Sequence, residues 1–467
     1  MLSKRIVIFF VLVAALLATS SALAQSTATV QGTVTDSKGA VLPNATVIVK
    51  NRATSSERTT QTDGNGNYQV AALPVGVYSI EVQLQGFKTG LADQVTLEVA
   101  KTVVQNFQMD VGAITEQVLV SSDVPVIETS TTSVGTVINQ RTVQEIPLNG
   151  RHFVDLGLLI PGSVTPPQNG FLTAPLRGQG SFAINTAGNR EDTVNFMING
   201  INLNDMVQNQ ITFQPSINTV QEFKADNSTF SAEYGRNSGA IVNIATRSGS
   251  NDYHGELFEF LRNDVFDARN FFEFTSTEPA PFKRNQFGGN LGGPIYKNKL
   301  FFFASYEGLR QRQGLDLNSM VLSDAQRAAV TDPVIGRLLE LIPRANFIDS
   351  SGTSRFVGSA SAPVNVDQWT ADINYNLTDK DRLHGYYAVQ NLTTSEPNRS
   401  GNTIPGFGNV AKALRQILTI NETHTFGSSL VNELLVGFSN TNDNVAYFEI
   451  DFAFLSNVFR QCGALEW

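Results

Sequence analysis

The sequence has few charged residues and few cysteines for its length, and both shortages limit the classes of protein to which it can belong. Charged residues make up 16% of the 467 positions, against about 25% in ordinary soluble domains. A single cysteine, Cys462, excludes an internal disulfide framework and any zinc site built from several cysteines. The net charge of −9, without a basic cluster, argues against a nucleic-acid partner. In contrast, 37 glycines and 31 phenylalanines suit many short strands joined by turns.

Patterns for catalysis and metal binding are also missing. The sequence has no H-E-x-x-H pair, and its four histidines are scattered without metal-ligand spacing. The glycine-rich run 288–293 lies in an alternating strand pattern rather than before a helix, which disfavours a phosphate site. The sequence therefore predicts no enzyme, no cofactor and no metal.

A long apolar run occurs only at the N-terminus. A basic pair precedes an apolar core, 6–18, and an A-x-A cleavage site ends at Ala24, before Gln25. The core is shorter than the ~20 residues that a spanning helix needs. Residues 1–24 are thus predicted to be a cleaved signal peptide, and the cleavage site disfavours the alternative of an uncleaved anchor. Any membrane insertion of the exported chain is expected to use strands.

Residues 25–110 are predicted to form a small β-sandwich. Short alternating runs are separated by clusters of Gly, Asn and Asp at the regular spacing of such a fold. Asp36, Asp63 and Asn65 offer oxygen atoms to calcium, but their positions favour turn capping. The segment resembles the carboxypeptidase regulatory-like domain, which implies a non-catalytic module. The residues that carry this resemblance are Gly32, Val34, Asp36, Gly39, Pro43, Ala45, Val47, Thr62, Asp63, Gly66, Tyr68, Leu73, Pro74, Gly76, Tyr78, Gly86 and Phe87.

Residues 111–122 form a linker to the next domain. Within it a short extended run alternates in part and has no obvious partner strand in the sequence. It resembles a TonB box, the segment that an inner-membrane energy-transducing protein captures by strand addition. An ordinary exposed linker strand is the alternative. The candidate box consists of Glu116, Gln117, Val118, Leu119 and Val120.

Residues 123–248 carry several short motifs: IPLNGR from Ile146, PGS from Pro161, FMINGIN from Phe196, VQEF from Val220 and AEYGRNSGAIVNIATRSGSN from Ala232. Together they resemble the plug domain of TonB-dependent outer-membrane transporters, which implies an α+β plug. The sequence departs from the family at one position of FMINGIN, where Asn199 replaces a common Asp. An amide can cap the same turn.

By analogy with that family, four charged residues are predicted at the interface between plug and barrel. A solvated surface position is the alternative for each of them. They are Arg151, Arg190, Glu222 and Arg236.

Residues 249–467 are predicted to form barrel wall. Trp369 and Ile373 share one parity of an alternating run, and Gln368 and Asp372 the other, as in a strand with an apolar outer face and a polar inner face. A short connection, 378–381, leads into the next run and predicts a periplasmic hairpin turn. One strand alternates poorly, because its two phenylalanines share a parity with a histidine and a glutamate: His254, Glu256, Phe258 and Phe260.

Three longer connections, 264–283, 310–364 and 391–409, are predicted to be extracellular loops, the second with one short helix within 324–342. The glycines of 288–293 are expected to let the wall approach the plug closely. Aromatic side chains are predicted to form an interfacial belt: Phe271, Phe272, Phe274, Tyr296, Phe301, Tyr386 and Tyr387.

The wall sequence has further motifs: HGELFEFLRND from His254, DARNFF from Asp267, RNQFGGNLGGP from Arg284 and FFFASYEGLR from Phe301. They resemble the Oar-like subfamily of TonB-dependent transporters. The predicted fold is therefore mainly β, with an N-terminal β-sandwich, an α+β plug domain and the first strands of a transmembrane antiparallel β-barrel. About seven candidate strands follow Asn251, against ~22 in a plugged transporter barrel. The sequence thus predicts an incomplete, C-terminally truncated barrel.

The resemblance implies an outer-membrane receptor that takes up a scarce extracellular solute through a plugged barrel. Its expected partners are a TonB-type energy-transducing protein, outer-membrane lipid and an unidentified extracellular ligand. The alternative is a surface binding or adhesion protein that uses the sandwich and the extracellular loops without transport.

Overall fold

The computed structural model describes most of the chain between residues 27 and 447. The described residues are 27–115, 117–119, 133–148, 150–164, 184–186, 188–205, 209, 211–227, 229–230, 234–235, 238–268, 281–397, 408–427 and 430–447. Strands dominate these ranges, as the sequence predicts. No helix within them has the length and hydropathy needed to cross a membrane.

The N-terminal module is a sandwich of two sheets. Its described strands are β1 (Ala28–Asp36), β2 (Thr46–Asn51), β3 (Glu57–Gln61), β4 (Asn67–Leu73), β5 (Gly76–Gln83), β6 (Thr89–Leu97), β7 (Thr102–Val104), β8 (Phe107–Met109) and β9 (Gln117–Leu119). One sheet has the order β4-β1-β7, with β8 also beside β1, and the other has the order β3-β2-β5-β6-β9. The predicted sandwich is confirmed.

The core of the sandwich follows from strand alternation. In β5, Tyr78, Ile80 and Val82 point inward and are at most 2% exposed, because side chains two residues apart share a face. Full burial of such an apolar side chain contributes about 1.5–3 kcal/mol. At the edges, the Asp36 and Asp63 carboxylates each accept two backbone N–H groups of their own turns at 2.8 Å. The predicted turn-capping role of both aspartates is therefore confirmed.

The second domain is an α+β unit around a five-stranded sheet. Its elements are β10 (Gly135–Asn139), α1 (Gln140–Glu145), β11 (Asn195–Ile198), β12 (Ile201–Asn202), β13 (Val220–Asp226), β14 (Ile241–Thr246) and the 3₁₀ helices Phe153–Leu159, Glu191–Thr193 and Ile217–Thr219. The sheet order is β10-β13-β14-β11-β12, with β11 and β14 parallel. The Asn139 side chain caps α1 by accepting the N–H of Thr142.

The central strands of this sheet are buried on both faces. All six residues of β14 and all four of β11 are buried, which is unusual for a sheet with one solvated face. One face covers the domain's own core, centred on Phe153, Phe196 and Phe223. The same core includes Tyr386 and Ile417 of the third domain. The second domain is thus packed against the wall described next.

The third domain is one large antiparallel sheet. Its elements are β15 (His254–Asn263), β16 (Phe282–Tyr296), β17 (Leu300–Met320), α2 (Asp324–Ala328), α3 (Pro333–Leu341), β18 (Phe347–Ile348), β19 (Ser354–Asn376), β20 (Asp381–Glu396), β21 (Asn409–Gly427) and β22 (Leu430–Tyr447). A 3₁₀ turn, Asp264–Phe266, follows β15 directly. Neighbours in sequence pair in order from β15 to β22, with the short β18 beside β19. Within the described residues β15 and β22 do not pair, so the sheet is open.

The two faces of the wall are those that the sequence predicts. On β19, Trp369 is 56% and Ile373 40% exposed, whereas Gln368 and Asp372 are at most 5% exposed. Asp372 accepts a hydrogen bond from the His384 ring on the neighbouring strand at 2.6 Å. Over 368–376 of β19 the outer face is apolar and the inner face polar, as in a wall that separates lipid from a filled lumen.

The predicted aromatic belt is wrong in part. Phe301 and Tyr386 are fully buried on the inner face, whereas Tyr296 and Tyr387 are exposed. Tyr386 and Tyr387 are adjacent in one strand, so they must point to opposite faces and cannot both contact lipid. The other three members, Phe271, Phe272 and Phe274, lie outside the described residues.

The expected loop over 310–364 is strand at both of its ends, and the connection itself is confined to 321–353. β17 and β19 pair residue by residue beyond Arg310, from Gln311 with Val364 to Met320 with Arg355. The polar side chains there mimic a loop in the sequence, but backbone hydrogen bonds hold the ladder whatever the side chains are. Two short helices, α2 and α3, occupy the remaining connection instead of the single one expected.

The glycines of 288–293 lie against residues of the neighbouring wall strands and not against the plug. A Cβ at Gly288 would meet the Phe258 ring, and one at Gly293 would meet the Tyr253 ring, both on the adjacent strand β15 or at its start. Aromatic rings lie over the glycines of the neighbouring strand, where no side chain opposes them. The prediction that these glycines let the wall approach the plug is therefore wrong.

Candidate functional site

The plug contacts the first wall strand through one arginine. The Arg151 guanidinium lies 4.1 Å from the ring centre of Phe260 and 5.5 Å from that of Phe258. Its Nη2 also donates to Asn218 Oδ1 at 2.8 Å within the plug. A cation over an aromatic face contributes about 0.5–2 kcal/mol. This contact explains the poor alternation of β15, because its two phenylalanines face the arginine of the plug rather than lipid.

Two further contacts join the plug to β17. The Ser216 hydroxyl donates to the carboxylate of Glu307. The Arg247 guanidinium lies 5.1 Å from the ring centre of Phe303 and donates to the backbone oxygen of Asn218 at 3.1 Å. Three of these residues, Arg247, Phe303 and Glu307, lie within motifs quoted above. Nothing in those motifs indicates that the residues meet across the interface.

The sandwich contacts the plug through its loop before β7. The backbone N–H of Val99 donates to Glu222 Oε2 at 2.7 Å, and Lys224 Nζ donates to the backbone oxygen of Ala100 at the same distance. Glu222 is 7% and Lys224 5% exposed. The predicted interface residue Glu222 therefore lies between the plug and the regulatory-like module rather than between plug and wall.

Burial raises the pKa of Glu222 from 4.5 to about 7, and the nearby Glu98 carboxylate acts in the same direction. The Val99 N–H and Lys101 oppose this by favouring the charged form. Desolvation is the larger effect because the carboxylate loses its water when the sandwich covers it. The contact therefore contains a group that titrates near neutral pH.

The sandwich also contacts the wall at the end where the short turns lie. The backbone N–H of Asn251 donates to the Ala53 oxygen at 2.9 Å, and Arg58 donates to the Thr425 hydroxyl. The three domains line a partly open cavity of about 230 Å³ at this end. Its lining includes Asn51, Tyr78, Thr246, His254, Asn374 and Arg382.

The described part of the candidate TonB box, β9, has a partner that the sequence analysis missed. It pairs in parallel with the start of β6, Thr89 with Gln117 and Leu91 with Leu119. β9 is the last described strand of its sheet, and Leu119 is 74% exposed. The partner strand lies earlier in the chain and in another module, so local sequence could not indicate it. Glu116 and Val120 lie outside the described residues.

The remaining predicted site residues do not gather at these contacts. The Arg190 side chain is 80% exposed and pairs with Asp192 at 2.6 Å. Arg236 lies outside the described residues, as do Ala24 and Gln25 of the predicted cleavage site.

Three residues at the short-turn end place side-chain atoms that can bind a metal close together. The scattered positions of the histidines in the sequence gave no indication of this group. Atoms of Asp381, Glu422 and His424 lie within 4.8 Å of one another. The His424 ring and the Thr378 hydroxyl both hydrogen-bond to Asp381. Cross-strand pairing of β20 and β21 creates this group, so it has no spacing signature in the sequence.

Comparison with known proteins assigns two of the three domains. Residues 29–110 match the model of the carboxypeptidase regulatory-like domain. Residues 245–332 and 328–461 match that of the outer membrane beta barrel domain. The class is thus an outer-membrane β-barrel protein with a regulatory-like module at its N-terminus.

Among curated proteins, the chain is 28% identical over 378 residues to the TonB-dependent transporter Oar of Myxococcus xanthus. The alignment covers 76% of this chain and 34% of the relative, so the chain spans about a third of that protein's length. Together with the domain matches, this relative shows that the chain is similar to TonB-dependent transporters of the outer membrane, Oar among them.

Solved structures give weaker resemblances. The outer-membrane transporter YddB of Escherichia coli is 12% identical with a TM-score of 0.48, over 67% of this chain and 39% of YddB. The ferric enterobactin receptor PfeA of Pseudomonas aeruginosa is 11% identical with a TM-score of 0.42, over 68% of this chain and 42% of PfeA.

Proposed function

We propose that the chain acts in TonB-dependent uptake of a scarce extracellular solute across the outer membrane. In this proposal the plug closes the lumen, a TonB-type protein captures the segment 116–120, and the pull rearranges the plug. The division of labour follows the predicted domains: signal peptide 1–24, regulatory-like module 25–110, linker 111–122, plug 123–248 and wall 249–467.

The observation that carries the proposal is the packing of the plug against the inner face of the wall. Arg151 contacts β15, and the plug core is shared with Tyr386 on β20 and Ile417 on β21. The plug thus lies on the lumen side of the wall, held by non-covalent contacts that a pull can break. This arrangement suits a gate in the lumen.

The position of the sandwich favours transport over adhesion. It contacts the wall through Asn251 and Thr425, at the end with the short turns, whereas long connections such as 321–353 lie at the other end. Short turns are typical of the periplasmic side. A module for surface adhesion would have to lie on the opposite side. The proposal assigns the chain no catalytic step, in line with the transporter class of its relatives.

Capture of the segment 116–120 can be tested in the full-length parent protein. Val118→Pro removes a backbone N–H and blocks strand addition, so uptake is expected to fall to background while surface binding is unchanged. The matched control is Ala113→Pro, at an exposed position of the same linker. The measurement uses radiolabelled ferric siderophores, oligosaccharides and peptides as probes. Unchanged uptake in the Val118→Pro variant would refute the mechanism.

A further inference from the structure

The linker before β9 is held along the sandwich rather than hanging from it. The backbone N–H of Lys88 donates to the Asp110 oxygen at 2.8 Å, and the Gly112 N–H donates to the Gly86 oxygen at 3.1 Å. The Thr89 hydroxyl, which is buried, then donates to the Ile114 oxygen at 2.7 Å. These bonds bring the chain to the register in which β9 pairs with β6.

The docked segment has one occupied edge and one open edge. β6 binds the inner edge of β9 over Thr89–Leu91, and no described strand pairs with its outer edge. In a strand, backbone N–H and C=O groups alternate between the two edges, so half of those of β9 remain available. Strand addition by a partner needs one edge only.

We infer that the regulatory-like module is a platform that presents β9 (Gln117–Leu119) as a preformed edge strand, to which a strand of the TonB-type partner adds without removing β9 from β6. Partner, β9 and β6 then form one continuous sheet. Because β9 is already ordered on the platform, binding of the partner does not have to offset the conformational entropy that a loose linker would lose. This inference rests on the proposed function, because it takes the partner from it.

The pairing of β9 with β6 also determines which contacts carry the pull to the plug. The pairing joins β9 to the sandwich, and the sandwich contacts the plug through Val99 with Glu222 and Ala100 with Lys224. A pull on the continuous sheet therefore reaches the plug through the sandwich as well as along the linker. The module becomes part of the coupling path rather than a passive extension.

The decisive experiment locks β9 to β6. Leu91 and Leu119 are directly paired, so Leu91→Cys/Leu119→Cys, made in a Cys462→Ala background, is expected to form a disulfide on oxidation. Binding of the purified C-terminal domain of a TonB-type protein to the full chain in membranes is then measured. We expect the oxidised and the reduced forms to bind within about twofold of each other. A loss of binding on oxidation, restored by reductant, would show that β9 must leave β6 and would overturn the platform.

A deletion of 116–120 separates this failure from that of the proposed function. If the deletion leaves binding unchanged, the partner does not use this segment, and both the proposed function and the platform fail. If binding depends on the segment but is lost on oxidation, only the platform fails. Failure of the disulfide to form in the membrane-bound chain also contradicts the platform, because the two strands are then not paired.

A milder change tests the prearranged docking. Thr89→Val keeps the shape of the side chain but removes the hydroxyl that holds Ile114, so we expect several-fold weaker binding of the same TonB domain. Thr62→Val is the matched control: its hydroxyl bonds the Leu42 oxygen at 2.6 Å, far from β9. Equal binding by the Thr89→Val variant and the unaltered chain would mean that docking contributes nothing to capture.

Discussion

At the scale of single residues, one amide shows how a departure from the family pattern can be neutral for the fold. Asn199 and Gly200 both have positive φ, at 46° and 85°, and form the two-residue turn between β11 and β12. Such a turn favours Asn-Gly, since glycine adopts this conformation without steric cost and asparagine tolerates it. The Asn199 side chain also donates to the Thr246 hydroxyl at 2.9 Å and accepts the Thr246 N–H. The uncharged amide thus holds the turn against β14, and its bonds to Thr246 do not reach the backbone of the turn itself.

Replacing this amide should weaken the plug. Asn199→Ala loses both bonds to Thr246 and places an alanine at positive φ, so we expect the free energy of unfolding to fall by about 1–3 kcal/mol. Urea denaturation, followed by hydrogen exchange of β11, measures the loss. Asn65→Ala serves as the control, because Asn65 is exposed and contributes only its backbone N–H to its turn. A cost below that of the control would show that the bonds to Thr246 contribute nothing to stability.

At the scale of elements, the faces of strands could be predicted from the sequence, but their neighbours could not. Alternation gives the two faces of β19 directly, because its period is fixed by the strand backbone. The mixed pattern of β15 depends on Arg151 of another domain, so no local rule could give it. Packing between domains also explains a glycine in the wall. A Cβ on Gly437 of β22 would meet the Ile201 side chain of the plug. Only the assembled structure shows why glycine stands there.

The outer face of β19 provides a test of membrane placement. Ala371 is exposed on the same face as Trp369, so Ala371→Lys should place a charge in lipid at a cost of about 2–4 kcal/mol. Ala371→Leu is the matched control and should be neutral or slightly stabilising. Urea titration of the protein in lipid vesicles compares the two variants. If lysine were tolerated as well as leucine, this face would not contact the hydrocarbon.

At the scale of the whole molecule, three domains meet at the end with the short turns. The described hydrogen bonds between the regulatory-like module and the plug are made by buried polar groups, Glu222 and Lys224. An interface of this kind is more easily opened than a hydrophobic core, because its groups can return to water. The raised pKa of Glu222 makes the contact sensitive to pH near neutrality.

The direction of that sensitivity follows from linkage. The pKa of Glu222 is about 7 when the module is docked, against 4.5 for a glutamate in water. If undocking returns the carboxylate to water, the docked state binds more protons between these values. Docking should therefore weaken as the pH rises from 4.5 to 7 and stay at its weakest above 7, by at most about 3 kcal/mol. Hydrogen exchange at Val99, corrected for the intrinsic rate, should show less protection at pH 8 than at pH 5.

Glu222→Gln should remove this dependence, because the amide still accepts the Val99 N–H but carries no charge. Glu57→Gln, at an exposed position of the same module that pairs with Lys50, should retain it. A pH profile of the Glu222→Gln variant that matches the unaltered chain would assign the effect to another group.

The sequence by itself determined the mainly β fold, the sandwich with its turn caps and the two faces of the wall. Each depends on local backbone geometry, which residue type and spacing already specify. Tertiary structure decided where Glu222 and Arg151 lie, which strand receives β9, and how Asp381 and His424 meet. Those contacts join residues far apart in the chain, and they depend on how whole domains pack rather than on any local pattern.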